Sequence, residues 1–211
     1  MKAIAICGSP REHGNTEYYL EVMLAELQKL GWDTELIPLR DKTILPCRGC
    51  YGCLEKKRCV QEDDFEAVYA KMHAADAIII GSPVYVSKPT SLLQALLERA
   101  TFAGRGSGRL LSGKVGAPVT VARRAGTTLA LSELLLWYFI NDLVVPGSMY
   151  WNVGVAGARG ARDAERDLEG IEIMKYSAGN IAKVAKALEG TKAAAIAQNK
   201  LFYQADPDKK D

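Results

Sequence analysis

Two stretches of this chain, Lys2-Ala3-Ile4-Ala5-Ile6-Cys7 and Ala77-Ile78-Ile79-Ile80, are apolar on successive residues, and each runs directly into Gly-Ser-Pro. A strand that is apolar on both faces is buried on both faces, as in a parallel sheet covered by helices. The residues after each stretch fit that demand. Leu20, Met23, Leu24, Leu27 and Leu30 recur at intervals of three and four, which predicts a helix from Asn15 or Thr16 to Leu30, stopped by Gly31. Pro89 and Thr90 open another, with Leu92, Leu93, Leu96 and Leu97 on its buried side.

The same reading places further strands at Trp32 to Leu39, at Val115 to Val121 and, briefly, at Leu143-Val144-Val145, which Met149 to Val155 extends or edges. Helices are expected from Asp63-Asp64 to Ala75, from Thr127 to Asn141, and from Asp163 to Leu188 with interruptions near Gly170 and Gly179. Gly104 to Gly108 reads as a loop by composition. Strands alternating with helices predict an α/β three-layer sandwich, a five-stranded parallel sheet of order 2-1-3-4-5 with helices on both faces. We expect one domain over residues 1–190 and a polar C-terminal tail over 191–211. In that topology ligands sit at the carboxyl ends of the strands, so the loops after strands one, three and four are the places to look.

Those loops carry suitable groups. Gly8-Ser9-Pro10-Arg11-Glu12-His13-Gly14-Asn15-Thr16 offers two hydroxyls, an amide, a guanidinium and the amides of a helix start, a set suited to a phosphate dianion. It matches neither the dinucleotide fingerprint nor a Walker loop, which points to a mononucleotide phosphate. By itself the loop leaves open a capped helix with a polar turn. Gly81-Ser82-Pro83-Val84-Tyr85-Val86-Ser87 gives a stiffened backbone and a flat aromatic face for a planar heterocycle, or a turn with a packed tyrosine. Ala122-Arg123-Arg124-Ala125-Gly126-Thr127 places two arginines at a helix start, facing an electron-poor ring end or solvent.

Cys47, Cys50, Cys53 and Cys59, four of the five cysteines, fall within residues 47–59. Packing needs no such clustering, so the run points to thiolate chemistry. Separated Cys-x-x-Cys pairs are the usual zinc pattern, whereas successive short gaps suit a cubane, with Cys59 folding back across its own loop. Gly49 and Gly52 allow the tight backbone, and Arg48, Lys56, Lys57 and Arg58 offset thiolate charge. A cluster, zinc, a redox dithiol and metal-free cysteines all stay open on the residues alone. Cys7 ends a buried strand and reads as core.

GSPREHGNT, GSPVYV and the compact cysteine run, in this order, resemble the iron-sulfur flavoproteins of the flavodoxin-like, NADPH-dependent FMN reductase superfamily over about the first 150 residues. The resemblance implies a flavodoxin-like fold. It implies FMN, with Ser9, Arg11, Asn15 and Thr16 at its phosphate and Pro83, Val84 and Tyr85 along the isoalloxazine. It implies a 4Fe-4S cluster on Cys47, Cys50, Cys53 and Cys59, and a homodimer or homotetramer. Arg123 and Gly126 lie in a loop that departs from the family's glycine-richer one, at the pyrimidine end of the flavin.

The net charge of +2 gives no reason to expect a nucleic-acid partner. Leu129 to Ile140 is broken by Ser132 and Glu133 and too short for a bilayer, and Met1 to Cys7 is briefer than a leader's apolar region, so the expected compartment is the cytoplasm. No side chain stands out as a nucleophile or general acid. The leading expectation is a flavin-dependent oxidoreductase moving electrons between FMN and the cluster, with a redox partner such as ferredoxin or NAD(P)H. Two others are an NAD(P)H-dependent FMN, quinone or nitro-compound reductase without a cluster, and a non-catalytic electron carrier or redox sensor.

Overall fold

The computed structural model describes residues 1–157 and 162–191. Most of the expected tail, residues 192–211, lies outside them. In chain order the elements are β1 (Lys2–Cys7), α1 (Asn15–Lys29), β2 (Asp33–Pro38), α2 (Gly52–Lys56), α3 (Phe65–Ala74), β3 (Ala77–Pro83), α4 (Ser91–Gly106), β4 (Val115–Ala122), α5 (Thr127–Ile140), β5 (Val153–Val155), a 3-10 turn (Asp163–Arg166) and α6 (Leu168–Ala187). The strands form one parallel sheet in the order β2-β1-β3-β4-β5. This is the flavodoxin-like arrangement. Alternation along β1 divides the core: Ile4 and Ile6 pack toward α3, α4 and α5, while Ala3, Ala5 and Cys7 pack toward α1 and α6. Burial pushes the Cys7 thiol up to about 11, so it stays protonated at neutral pH. No helix of the described residues is long and apolar enough to cross a membrane.

Three elements depart from the expectation. Leu143-Val144-Val145 is not the fifth strand. Only Val144 touches β4, in an isolated bridge to Val115, and β5 forms at Val153–Val155 against Thr120 to Ala122. Pro118 explains the split. The N–H groups of Gly116 and Thr120 donate to Val144 and Asn152, at 2.9 and 3.1 Å, and between them Pro118 has no N–H to give. Secondly, Gly104 and Gly106 are helical, the last residues of α4, not a loop. A Cβ on Gly106 would stand 2.5 Å from the Cys53 carbonyl oxygen, so the glycine lets the cysteine segment lie against the helix.

The third departure is α6, which runs unbroken through Gly170 and Gly179. Asp167 caps it. One carboxylate oxygen accepts the Gly170 N–H at 3.0 Å; the other accepts the Tyr19 hydroxyl at 2.6 Å and the Val155 N–H at 2.9 Å. A Cβ on Gly170 would overlap that carboxylate, so the glycine serves the cap and does not break the helix. Burial acts to raise the Asp167 pKa, but the Tyr19 hydroxyl and the two N–H groups outweigh it and hold it below the ordinary aspartate value. A carboxylate depressed in this way adds stability above the unfolded-state pKa and loses it as pH falls through the folded value. Asp167→Asn is therefore expected to cost about 1–2 kcal/mol at pH 7. Below about pH 4 its deficit against wild type should shrink in urea titrations.

Candidate functional site: a loop cavity and a cysteine cavity

The carboxyl edge of the sheet holds a cavity shared by three loops. Ser9, Arg11, Asn15 and Thr16 line it from the β1 side, Pro83, Val84 and Tyr85 from the β3 side, and Ala122 and Arg123 from the end of β4. Ala156 and Gly157, after β5, close it; no sequence motif had singled them out. Arg124 and His13 are not among the lining residues. The loops are tied together beneath the cavity. The Thr90 hydroxyl donates to the Gly8 carbonyl at 2.8 Å, and the Thr90 N–H donates to the Ser82 hydroxyl at 3.1 Å. Thr90 also caps α4, so one residue braces two loops and starts the helix behind them.

On the β1 side, Ser9 accepts the Arg11 N–H at 3.1 Å and shapes the turn, and Gly14 begins α1 with no side-chain cap. The first-turn acid Glu17, buried and adverse to an anion, is paired with Arg40 at 2.6 Å. Asn15, while lining the cavity, is also held by the segment before α6. Its carboxamide donates to Asp163 at 2.6 Å and accepts the Ala164 N–H at 2.9 Å, which ties α1 to the segment before α6. Gly126 does not line the cavity. Its φ is +90°, and a Cβ added to it would stand 2.9 Å from Val84 Cγ1, so the glycine lets α5 approach the β3 loop.

The tip of that loop is strained. Tyr85 and Lys88 exchange backbone hydrogen bonds of 2.8 and 3.0 Å around Val86 and Ser87, whose φ angles are 51° and 61°. A two-residue turn of this hand suits Asn-Gly, and a β-branched residue is costly there. Val86 is 97% exposed and gains no burial in return. Val86→Asn should stabilise the protein by about 1 kcal/mol in thermal or urea unfolding. Equal or lower stability would mean that the valine is engaged by something outside the chain.

The second cavity is built on the C-terminal half of α4. Cys47, Cys50, Cys53 and Cys59 all line it, together with Arg99, Phe102 and Ala103. All five cysteines of the chain are free thiols. The segment is pinned to α4: the Cys53 thiol reaches the Phe102 carbonyl at 3.6 Å, and Ser107 donates to the Lys57 carbonyl at 2.5 Å. Tyr51 and Lys57, on either side of α2, and Gly49 before it have positive φ, which wraps the chain tightly enough to bring Cys59 back beside the other three. Thr90 and Phe102 lie three turns apart on α4. Along the helix that is about 18 Å, and Arg99, Phe102 and Ala103 set the cysteine cavity on its C-terminal half, away from Thr90 beneath the loop cavity.

The NADPH-dependent FMN reductase family model matches residues 1–158. An iron-sulfur flavoprotein of Archaeoglobus fulgidus is 38% identical over 198 residues, covering 89% of this chain and 96% of the relative. The chain belongs to the iron-sulfur flavoproteins of the NADPH-dependent FMN reductase family. An iron-sulfur flavoprotein of Methanocaldococcus jannaschii is 34% identical, covering 90% of this chain and all of the relative. Among solved structures, RosB with bound 8-demethyl-8-formylriboflavin-5'-phosphate superposes with a TM-score of 0.72 at 19% identity, covering 90% of this chain and 81% of RosB, a likeness of fold.

A family name containing iron and sulfur asks whether these residues suit a cluster. Among the described residues no three His, Cys, Asp or Glu side chains stand close enough to share one metal ion. A cubane makes a different demand, since each thiolate takes its own corner. Four thiols around one cavity meet it in kind. The surroundings favour negative charge there. The Gly52 N–H and then Arg48 draw the exposed Cys50 thiol below its ordinary pKa, whereas burial raises that of Cys53. Arg99, only 1% exposed, lines the cavity and has a buried Nε with no hydrogen-bond partner. A buried donor lacking an acceptor, on a permanently charged group beside four thiols, suits an anionic sulfur centre. Nothing in the sequence pointed to Arg99, which lies among the leucines of an amphipathic helix, forty residues from Cys59.

Proposed function

We propose that this protein is an FMN-dependent redox protein that passes electrons between FMN in the loop cavity and a 4Fe-4S cluster on Cys47, Cys50, Cys53 and Cys59. The observation that carries the reading is the convergence of all four cysteines of the 47–59 run on one cavity beside a buried arginine. FMN exchanges electrons singly or in pairs and a cluster exchanges them one at a time; the protein supplies placement and electrostatics. Arg11 and Thr16, beside the uncapped start of α1, would hold the phosphate. Pro83, Val84 and Tyr85 would flank the ring, with Arg123 at its far edge. The donor and acceptor would be NAD(P)H, stacking at the flavin, or a protein such as ferredoxin. Assembly as a homodimer or homotetramer belongs to the same proposal, supported by Leu136 and Phe139 on α5, which stand 67% and 80% exposed.

Anaerobic purification followed by an absorption spectrum and iron, acid-labile sulfide and flavin analysis tests this. The expected result is one FMN with iron and sulfide in equal amounts. Flavin with neither iron nor sulfide, together with NAD(P)H turnover, would establish instead the reductase without a cluster, a reading supported by kinship with the FMN reductases. Protein that takes up no FMN would overturn both.

A further inference from the structure

Arg99 does more than close a loop. Its Nη1 donates to the Leu45 carbonyl at 3.1 Å and to the Asp63 carboxylate, and its Nη2 reaches the Gln61 carbonyl at 3.5 Å and the Cys59 sulfur at 3.2 Å. The guanidinium lies over the Phe65 ring, 4.2 Å from its centre. A structural fastener needs the carbonyl and carboxylate contacts. It does not need the sulfur.

We propose that Arg99 is a positioning and charge-setting residue for the cysteine site, donating to the Cys59 thiolate and thereby making the centre easier to reduce. The inference rests on the reading that these cysteines hold a cluster. Taking up one electron adds one negative charge to a centre on those thiolates, with no bond formed or broken. A buried cation in hydrogen-bond contact with one of the sulfurs stabilises the more negative state, and hydrogen bonds to ligating sulfurs are a recognised determinant of cluster potential. Asp63 moderates the effect because its carboxylate shares the same guanidinium. Arg99 and Asp63 therefore set opposing contributions, and they are within reach of each other but on different elements, α4 and the segment before α3.

The test uses anaerobically purified full-length protein, with iron and sulfide measured per chain before a dithionite titration followed by electron paramagnetic resonance. Arg99→Gln should retain or be reconstituted with its cluster and show a lower midpoint potential, and Arg99→Lys should recover part of the shift. Asp63→Asn, which leaves the guanidinium unopposed, should move the potential upward. The flavin potential should not change in any of them. An unchanged cluster potential and line shape in Arg99→Gln would overturn the proposal. Should that variant fail to fold or to hold iron, Asp63→Asn decides: a potential that falls or stays still overturns it, and a rise sustains it. Wild-type protein without iron and sulfide would remove the reading beneath it as well, a result visible before any titration begins.

Discussion

Gly154→Ala is expected to destabilise the protein by about 3 kcal/mol, seen as a lower urea midpoint with an unchanged slope. A Cβ on Gly154 would overlap the Tyr19 ring at Cε2. The ring has nowhere to go. Tyr19 is fully buried, and its hydroxyl is held by Asp167 and the Val155 carbonyl. The short edge strand, α1 and α6 meet at this point, so the added methyl group would push on all three. The damage should reach the loop cavity too, because Ala156 and Gly157 close it directly after β5. Weakened FMN retention should therefore accompany the loss of stability. Gly179→Ala is the control. It adds the same methyl group to α6, where nothing lies within 4 Å. It should stabilise the helix by roughly 0.5–1 kcal/mol.

On the proposed reading, Cys59→Ser should abolish the cluster and spare the flavin. Removing groups that merely support a metal ligand reduces affinity by about 10- to 100-fold, so removing a ligand should exceed that. Iron and sulfide per chain are expected to fall to near background while FMN content stays close to wild type. The retention of flavin follows from the separate linings of the two cavities, which share no residue. Cys7→Ala, altering a protonated thiol in the core, should leave iron content unchanged. Full iron in Cys59→Ser would show that the fourth ligand lies elsewhere, and the role assigned to Arg99 would lose its sulfur.

The strand order and the cavity-forming loops were legible because both depend on local pattern. Runs such as Ala77 to Ile80 declare two buried faces, and Gly-Ser-Pro after β1 and β3 marks the turns that meet at the sheet edge. What escaped depends on partners distant in the chain. Leu143-Val144-Val145 is as apolar as a strand, but Pro118 in β4 withholds the N–H that pairing would use. Gly104 and Gly106 look like loop residues until the Tyr69 hydroxyl is seen against the first and α2 against the second. Asn15 lines the cavity, but its tie to Asp163 and Ala164, almost 150 residues away, has no local signal. Arg99 was invisible for the same reason, since only the folded chain brings it to Cys59.

The contacts at the base of the cysteine segment have a thermodynamic consequence. Leu45 and Gln61 are joined through Arg99 and Asp63, and Gln61 also donates to the Pro46 carbonyl at 3.2 Å. The ends of the segment are therefore fastened by protein atoms alone. Closing a loop of roughly 15 residues costs about 2.5 kcal/mol, and here folding meets that cost before any metal arrives. Many small metal-binding domains assemble only when the ion does. On the proposed reading the scaffold and the inorganic centre are separable: iron would be lost and regained by an intact protein, and a drop in iron supply would empty the site without unfolding the chain.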